Sequence, residues 1–429
     1  MRRRRGLSMA SESKGIVYRN AFFLYLMTAV KFVLPVIITA VLARRLSPSG
    51  YGVIAFETAV MNYFVLLFDY GFNYSATKKI SIHRDDCRYV QQVIGRVMTA
   101  KVLLVVLGFA AMLVLFLLVP MLREYWALSI GYYLSTAVNI FLPDFVYRGF
   151  EEMGQITIRY TIGRFAALAM ICFTVWTASD LILVPVSYAA GTVLAALYAF
   201  WNLYKTKKIR LSFEPIGSSV SMLREGFVYF LSLITTTALT AFNALVMGAL
   251  GMDPALIADW TIALQLVTAL QALNDPITSS LFPHVVKSRD YSFVLKTLIP
   301  ISILVIILVG VSYCLSDQLV YLLAGSGYEE ASEVFRILVM LVAFSFPAQI
   351  IGFPLLGALG YQNEVTISTC LSALFHTVAT LSLIPLGMFN LVILSYVRVA
   401  SELVLLLVRA FFVAKFVAKK RKALPKNDF

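Results

Sequence analysis

Apolar stretches long enough to cross a bilayer fill this 429-residue chain nearly end to end, from Asn20–Leu42 through Asn390–Phe412, with short polar loops between them. A helix rises about 1.5 Å per residue, so about 20 residues cover a hydrocarbon core of roughly 30 Å. Twelve runs meet that length: 20–42, 51–72, 94–118, 126–146, 159–178, 182–203, 226–250, 259–283, 297–315, 334–357, 365–386 and 389–413. With 60% hydrophobic and only 14% charged residues, this surface could not be hidden in a water-soluble fold. The predicted fold class is therefore an all-α polytopic membrane protein with about 12 transmembrane helices.

The net charge of +13 is placed to set orientation rather than to bind nucleic acid. Of 36 Lys and Arg, 25 lie in alternate loops and the ends: Arg2 to Arg5, Lys14 and Arg19, then Lys78 to Arg88, Arg148, Lys205 to Arg224, Lys287 to Lys296, and Lys415 to Lys426. The opposite loops hold only Arg44, Arg45 and Arg123, so the positive-inside rule predicts cytoplasmic termini and an even number of crossings. Lys31 and the lack of a small-residue cleavage site make 20–42 an uncleaved first helix rather than a signal peptide. Cys87, Cys172, Cys314 and Cys370 have no paired spacing and predict neither a disulfide framework nor a metal site.

Shifting the first half by about 206 residues lays Tyr51–Asp69 on Ile257–Asp275, and Gln155 to Ile158 match Glu364 to Ile367 at about 209. A true repeat of six helices would relate two lobes by an axis along the membrane normal. The expected organisation is a basic cytoplasmic segment 1–19, a lobe 20–203, a linker 204–225 containing Pro215 and Gly217, a lobe 226–413, and a basic tail 414–429.

The run Leu46-Ser47-Pro48-Ser49-Gly50-Tyr51-Gly52, followed by Phe68-Asp69-Tyr70-Gly71-Phe72-Asn73-Tyr74-Ser75-Ala76-Thr77, resembles the opening of Wzx-type O-antigen flippases. Looser matches continue at Arg148-Gly149-Phe150-Glu151, Pro283-His284 and Leu323 to Tyr328. The resemblance implies a MATE-like fold of the multidrug/oligosaccharidyl-lipid/polysaccharide exporter superfamily, in the bacterial inner membrane. It also implies a substrate, polyprenyl-diphosphate-linked oligosaccharide, and as partners membrane lipids and the polymerase and chain-length proteins of the same route.

Charges inside apolar spans cost at least about 2.5 kcal/mol at a helix centre, so they tend to face a bundle interior or wet cavity. Lys31, Arg96, Lys101, Arg164, Arg336 and Arg398 are the candidate lining of a cationic cleft suited to a diphosphate, with Arg409 further along the last span. All but Lys101 have an alternative. Lys31 could pair with Glu57 or satisfy carbonyls freed by Pro35, Arg398 could pair with Glu402 four residues on, and Arg96, Arg164, Arg336 and Arg409 could snorkel to headgroups. Asp69, Asp144, Asp275, Glu57 and Glu402 are candidates for gating or ion coupling, and His376 for hydrogen-bonded packing. Asn62, Tyr63, Thr235 to Thr237, Thr240, Asn243, Gln265 and Gln271 could line a sugar path or bridge helices.

No Gly-Lys-Ser/Thr phosphate loop, metal-ligand spacing or Gly-x-Ser-x-Gly elbow occurs, so neither ATP hydrolysis, a cofactor nor an enzyme is expected. The rival classes are a cation-exporting antiporter, which should carry deep carboxylates in excess, and a membrane polymerase or ligase, which should carry a long catalytic external loop.

Overall fold

The computed structural model describes residues 30–210, 212–288 and 291–423, and no strand occurs among them. The segment 1–19, the first ten residues of the 20–42 span, Arg289 and Lys426 lie outside the described residues. The helices are α1 over 30–45, α2 Pro48–Asp69, α3 Phe72–Ile82, α4 Cys87–Leu118, α5 Pro120–Glu124, α6 Trp126–Val138, α7 Asp144–Gly149, α8 Met153–Thr174 and α9 Leu183–Lys207. They continue with α10 Ile216–Ala249, α11 Pro254–Gln271, α12 Asp275–Ser288, α13 Tyr291–Cys314, α14 Ser316–Ala324, α15 Glu329–Leu338, α16 Met340–Ile350, α17 Gln362–Ser382 and α18 Leu391–Ala423. Ten helical stretches among the described residues are long and apolar enough to cross a membrane. The chain is a multi-pass, all-helical membrane protein.

Several expected spans are not straight helices. The run 126–146 divides into α6, a 3-10 turn Asn139–Phe141, and α7. Pro143 has no N–H to continue the ladder and pushes Leu142 into extended backbone, with φ −82° and ψ 114°. A second break separates α2 from α3, where Tyr70 and Gly71 both take positive φ (45° and 76°) directly after Asp69. The linker expected over 204–225 is helical at both ends, and its middle is fastened along α4. Gln91 donates to the Ser212 hydroxyl at 2.8 Å, and the Thr99 hydroxyl exchanges bonds with the Glu214 backbone at 2.8 and 3.0 Å.

Helix starts recur at the spacing expected of the repeat. Pro48 and Pro254 open α2 and α11, Met153 and Gln362 open α8 and α17, and Leu183 and Leu391 open α9 and α18. The first pair shares its capping chemistry. The Ser47 hydroxyl accepts from Gly50 N at 3.1 Å and the Asp253 carboxylate from Ala255 N at 2.9 Å, each just before a proline that suits the first helical position.

Contacts divide the chain into two compact units, one of 1–46, 56–234 and 248–251, the other of 47–55, 235–247 and 252–429. In the first unit, α8 packs along α9, α6 on α9, and α3 on α7 and α4. Gly163 and Ala167 of α8 face Gly191 and Ala195 of α9. A Cβ on Gly191 would lie 2.3 Å from the Gly163 carbonyl oxygen, so the two backbones touch through a small-residue pattern of spacing four on both helices. Arg45 closes the far end of α8 by donating to the Cys172 and Val175 carbonyls, both at 2.8 Å, while its guanidinium lies 3.9 Å from the centre of the Trp176 ring. In the loop that follows, the Asp180 carboxylate accepts from Trp176 N and Thr177 N (3.0 and 2.9 Å), which holds its pKa below the usual carboxylate range.

In the second unit, α17 packs on α18, α11 on α15, and α16 on α13 and α18. Gly52 near the start of α2 abuts the first turn of α11, where a Cβ would lie 1.7 Å from the Pro254 carbonyl oxygen. Tyr51 meets Tyr328 edge to face at 6.5 Å, and Gly327 (φ 92°) lies against Pro48. Two of the runs that carry the family resemblance thus meet in one packed corner. Trp126 opens α6 and is exposed, whereas Trp260 lies inside α11 and is buried.

Candidate functional site

A cavity of about 350 Å³ lies inside the first unit, lined from α1, α2, α6, the interrupted segment 139–144, α7, α8 and α9. Helical periodicity supplies its walls. Thr58, Met61, Asn62 and Val65 present one face of α2, and Ile156, Tyr160, Gly163, Arg164 and Ala167 one face of α8. Four cations, Lys31, Arg148, Arg159 and Arg164, meet a single carboxylate, Asp144.

Asp144 is already occupied. Its Oδ2 accepts from Arg159 Nη2 at 2.5 Å, and Arg159 is buried. None of the ion pairs recorded among the described residues uses Lys31, Arg148 or Arg164. Lys31 instead lies 5.7 Å from the Tyr160 ring, and Arg164 lies 5.5 and 5.7 Å from Tyr160 and Tyr188. These contacts aim the two cations without neutralising them. Asn62, Ser135, Thr136, Asn139 and Thr192 add uncharged hydrogen-bonding groups. The site therefore has the chemistry to hold a polyvalent anion through charge-assisted bonds beside hydroxyl-bearing groups. Among the described residues no cluster of His, Cys, Asp or Glu could hold a metal ion.

The α8–α9 backbone contact places this lining, because Arg159, Tyr160 and Arg164 flank Gly163, and Tyr188 and Thr192 flank Gly191. Gly191→Leu is expected to lower stability by about 1–3 kcal/mol through overpacking. The reading is a reduced thermal midpoint of the purified protein in detergent.

The structure brings together Lys31, Arg164 and Asp144 of the residues singled out from sequence. It adds Arg159 and Arg148, the first not singled out and the second read as an orienting loop charge within a family-like turn. The remaining residues have other company. Lys101 is buried 3.8 Å from Asp69, which also accepts from Asn73 at 2.9 Å. Arg96 is half-buried on α4, and Glu57, fully buried, accepts from the Ser129 hydroxyl rather than from Lys31.

In the second unit Arg398 and Glu402 form a buried pair at 3.1 Å, and Arg336 pairs with Asp317 at 2.6 Å. Asp275 opens α12. Arg409 donates to the Ala348 carbonyl at 2.7 Å and to the Ser368 and Thr369 hydroxyls at 3.2 Å, tying α16 to α17. His376 is buried, bonded to the Ser401 hydroxyl at 3.0 Å, between Ser372 and Thr380 on the same face of α17.

A family profile described as "Polysaccharide biosynthesis protein" matches residues 17–289. The chain is 24% identical over 357 residues, 81% of its own length and 85% of the relative's, to a protein of Escherichia coli K12 named "Putative O-antigen transporter". A protein of the same name from Shigella dysenteriae is 22% identical over 64% of this chain and 69% of its own length. Among solved structures, an inward-facing multidrug resistance MATE family transporter of the MOP superfamily superposes with a TM-score of 0.71 at 13% identity, covering 94% of this chain and 100% of that one. The lipid II flippase MurJ in an inward closed conformation gives 0.71 at 13% identity, covering 92% and 87%. These structures share the fold of this chain.

Proposed function

The chain belongs to the polysaccharide biosynthesis protein family, and from that premise we propose that it is a flippase for polyprenyl-diphosphate-linked oligosaccharide. The observation that carries this reading is the cavity charge. Three cations that enter no ion pair among the described residues face a cavity among membrane-spanning helices, where unpaired charge is expensive unless a partner of opposite sign is bound part of the time. A diphosphate supplies that partner, and neighbouring hydroxyls and amides suit the sugars joined to it. The names of the relatives, an O-antigen transporter and a lipid II flippase, agree with such a substrate. An exporter of organic cations would need the opposite balance, and here the only cavity carboxylate among the described residues is held by Arg159.

On this reading the two six-helix lobes, 20–203 and 226–413, rock to expose the cavity alternately to the cytoplasm and the outer face of the bacterial inner membrane. Recurrence of the helix starts supports the lobe boundaries, and the loop charges support cytoplasmic termini. Lys31, Arg148 and Arg164 take the diphosphate, while the polyprenyl tail stays in lipid. The chain carries no nucleotide-binding loop, so a coupled gradient or consumption of the product on the far side supplies direction.

Complementation tests the proposal. In a bacterium deleted for its own O-antigen flippase and supplied with a matching glycan, the wild-type chain is expected to restore surface polysaccharide. Lys31→Gln and Arg164→Gln at matched expression are each expected to lower it by about tenfold, the loss of one charge-assisted bond of about 1.4 kcal/mol or more. Full restoration by the Lys31→Gln/Arg164→Gln double variant would remove this cavity from the transport path.

A further inference from the structure

A second cavity, of about 420 Å³, lies in the first unit at the end carrying the basic loops. Its wall includes Asn73, Thr77 and Lys78 of α3, Arg148 of α7, and the stacked rings of Tyr74 and Tyr229, whose centroids are 5.4 Å apart. Arg148 is the one residue common to this lining and that of the central cavity.

Charge is again unbalanced. No carboxylate lines the second cavity, and neither Lys78 nor Arg148 enters a recorded ion pair among the described residues. Neighbouring cations at this end are matched: Lys79 to Glu225 at 2.8 Å, Lys207 to Glu152 at 2.8 Å, and Arg84 to Glu151 at 3.7 Å. Adjacent lysines thus have opposite fates, Lys79 neutralised and Lys78 left facing the cavity. Arg148 also keeps a buried Nε with no hydrogen-bond acceptor. An orphaned buried donor calls for an acceptor, because leaving it unmade costs about 1–3 kcal/mol.

We propose that this second cavity is a separate subsite for the diphosphate of the lipid-linked substrate, with Arg148 serving both sites in turn. The inference rests on the flippase reading and deepens it. Lys78 and Arg148 hold the phosphates from two sides, and Arg148 turns from one cavity to the other without the anion losing every cation at once. Passing a multivalent anion between overlapping cation sets avoids the desolvated, unpaired intermediate that a single isolated site would impose.

The test uses the full chain in phosphatidylcholine nanodiscs, titrated with farnesyl diphosphate by calorimetry. Two classes of site are expected. Lys78→Gln, a change at an exposed position, should weaken one class by about tenfold and spare the other; Arg164→Gln should do the reverse; Arg148→Gln should weaken both. Inorganic pyrophosphate should compete at both classes. A single class unaffected by Lys78→Gln would overturn the subsite while leaving the flippase reading intact. No binding to the wild-type protein would sink the flippase reading itself. Adding phosphatidylglycerol separates the two phosphate sources: the Lys78-dependent class should persist, and its disappearance would show a membrane headgroup site and overturn the diphosphate assignment.

Discussion

Arg164→Glu is expected to abolish transport while leaving the protein folded and inserted. The guanidinium lines the central cavity between two tyrosine rings and enters no ion pair recorded among the described residues, so its replacement breaks none of those pairs. Its removal alone forfeits one attraction to the proposed diphosphate; its reversal adds a repulsion of similar size. At an effective dielectric of about 20, unit charges 4 Å apart interact by about 4 kcal/mol. With half of the reversal screened, the loss is still about 4 kcal/mol, or about a thousandfold in affinity. Surface polysaccharide should fall to the level of the deletion strain, with normal quantities of the variant in the membrane. Surface polysaccharide at the wild-type level would place the anion elsewhere.

Gly52→Ala is expected to cost about 3 kcal/mol or more, the upper end of overpacking effects, from the addition of one methyl group. The added carbon would lie 1.7 Å from the Pro254 carbonyl oxygen and 2.4 Å from its carbon, and neither atom belongs to a side chain that can rotate away. The first turns of α2 and α11 would have to part, loosening Tyr51 from Tyr328. Gly310→Ala is the matched control. Its new methyl would meet nothing within 4 Å, so the better helix propensity of alanine should leave the protein as stable as before or up to about 1 kcal/mol more so. Thermal midpoints in detergent separate the two: a clear drop for the first and none for the second. Equal midpoints would mean that α2 and α11 do not approach this closely.

Much of the fold was legible because hydrocarbon thickness fixes the length of each apolar run and leaves charge to the loops. The capping pairs Ser47-Pro48 and Asp253-Pro254 lie 206 residues apart, at the offset of the expected repeat. What escaped was the break in 126–146, because hydropathy averages over a window and passes across Leu142-Pro143 without registering the missing N–H. The site was legible in kind but not in membership. Lys31, Arg164 and Asp144 stood out as charges in apolar surroundings. Arg159 fell on the counted edge of its span, and Arg148 lay in a basic turn whose positive charge already had an explanation in orientation. Spacing offered a way in: Gly163 and Ala167 match Gly191 and Ala195, and that pair of small-residue faces locates the helix contact around which Arg159 and Arg164 are arranged. Arg398 and Glu402 show the converse, since an i,i+4 pairing visible in the sequence is the one the structure contains.

The touching backbones of α8 and α9 also have a mechanical consequence. A contact made of glycine and alanine has no rotamers to exchange, so it cannot yield by small side-chain adjustments and behaves as a stiff wall. Elsewhere in the cavity wall the chain is jointed instead, at the interrupted stretch from Asn139 to Pro143. Any guest would meet an unyielding face on the α8–α9 side, and Asp144 at the jointed stretch is tied back to that face through Arg159.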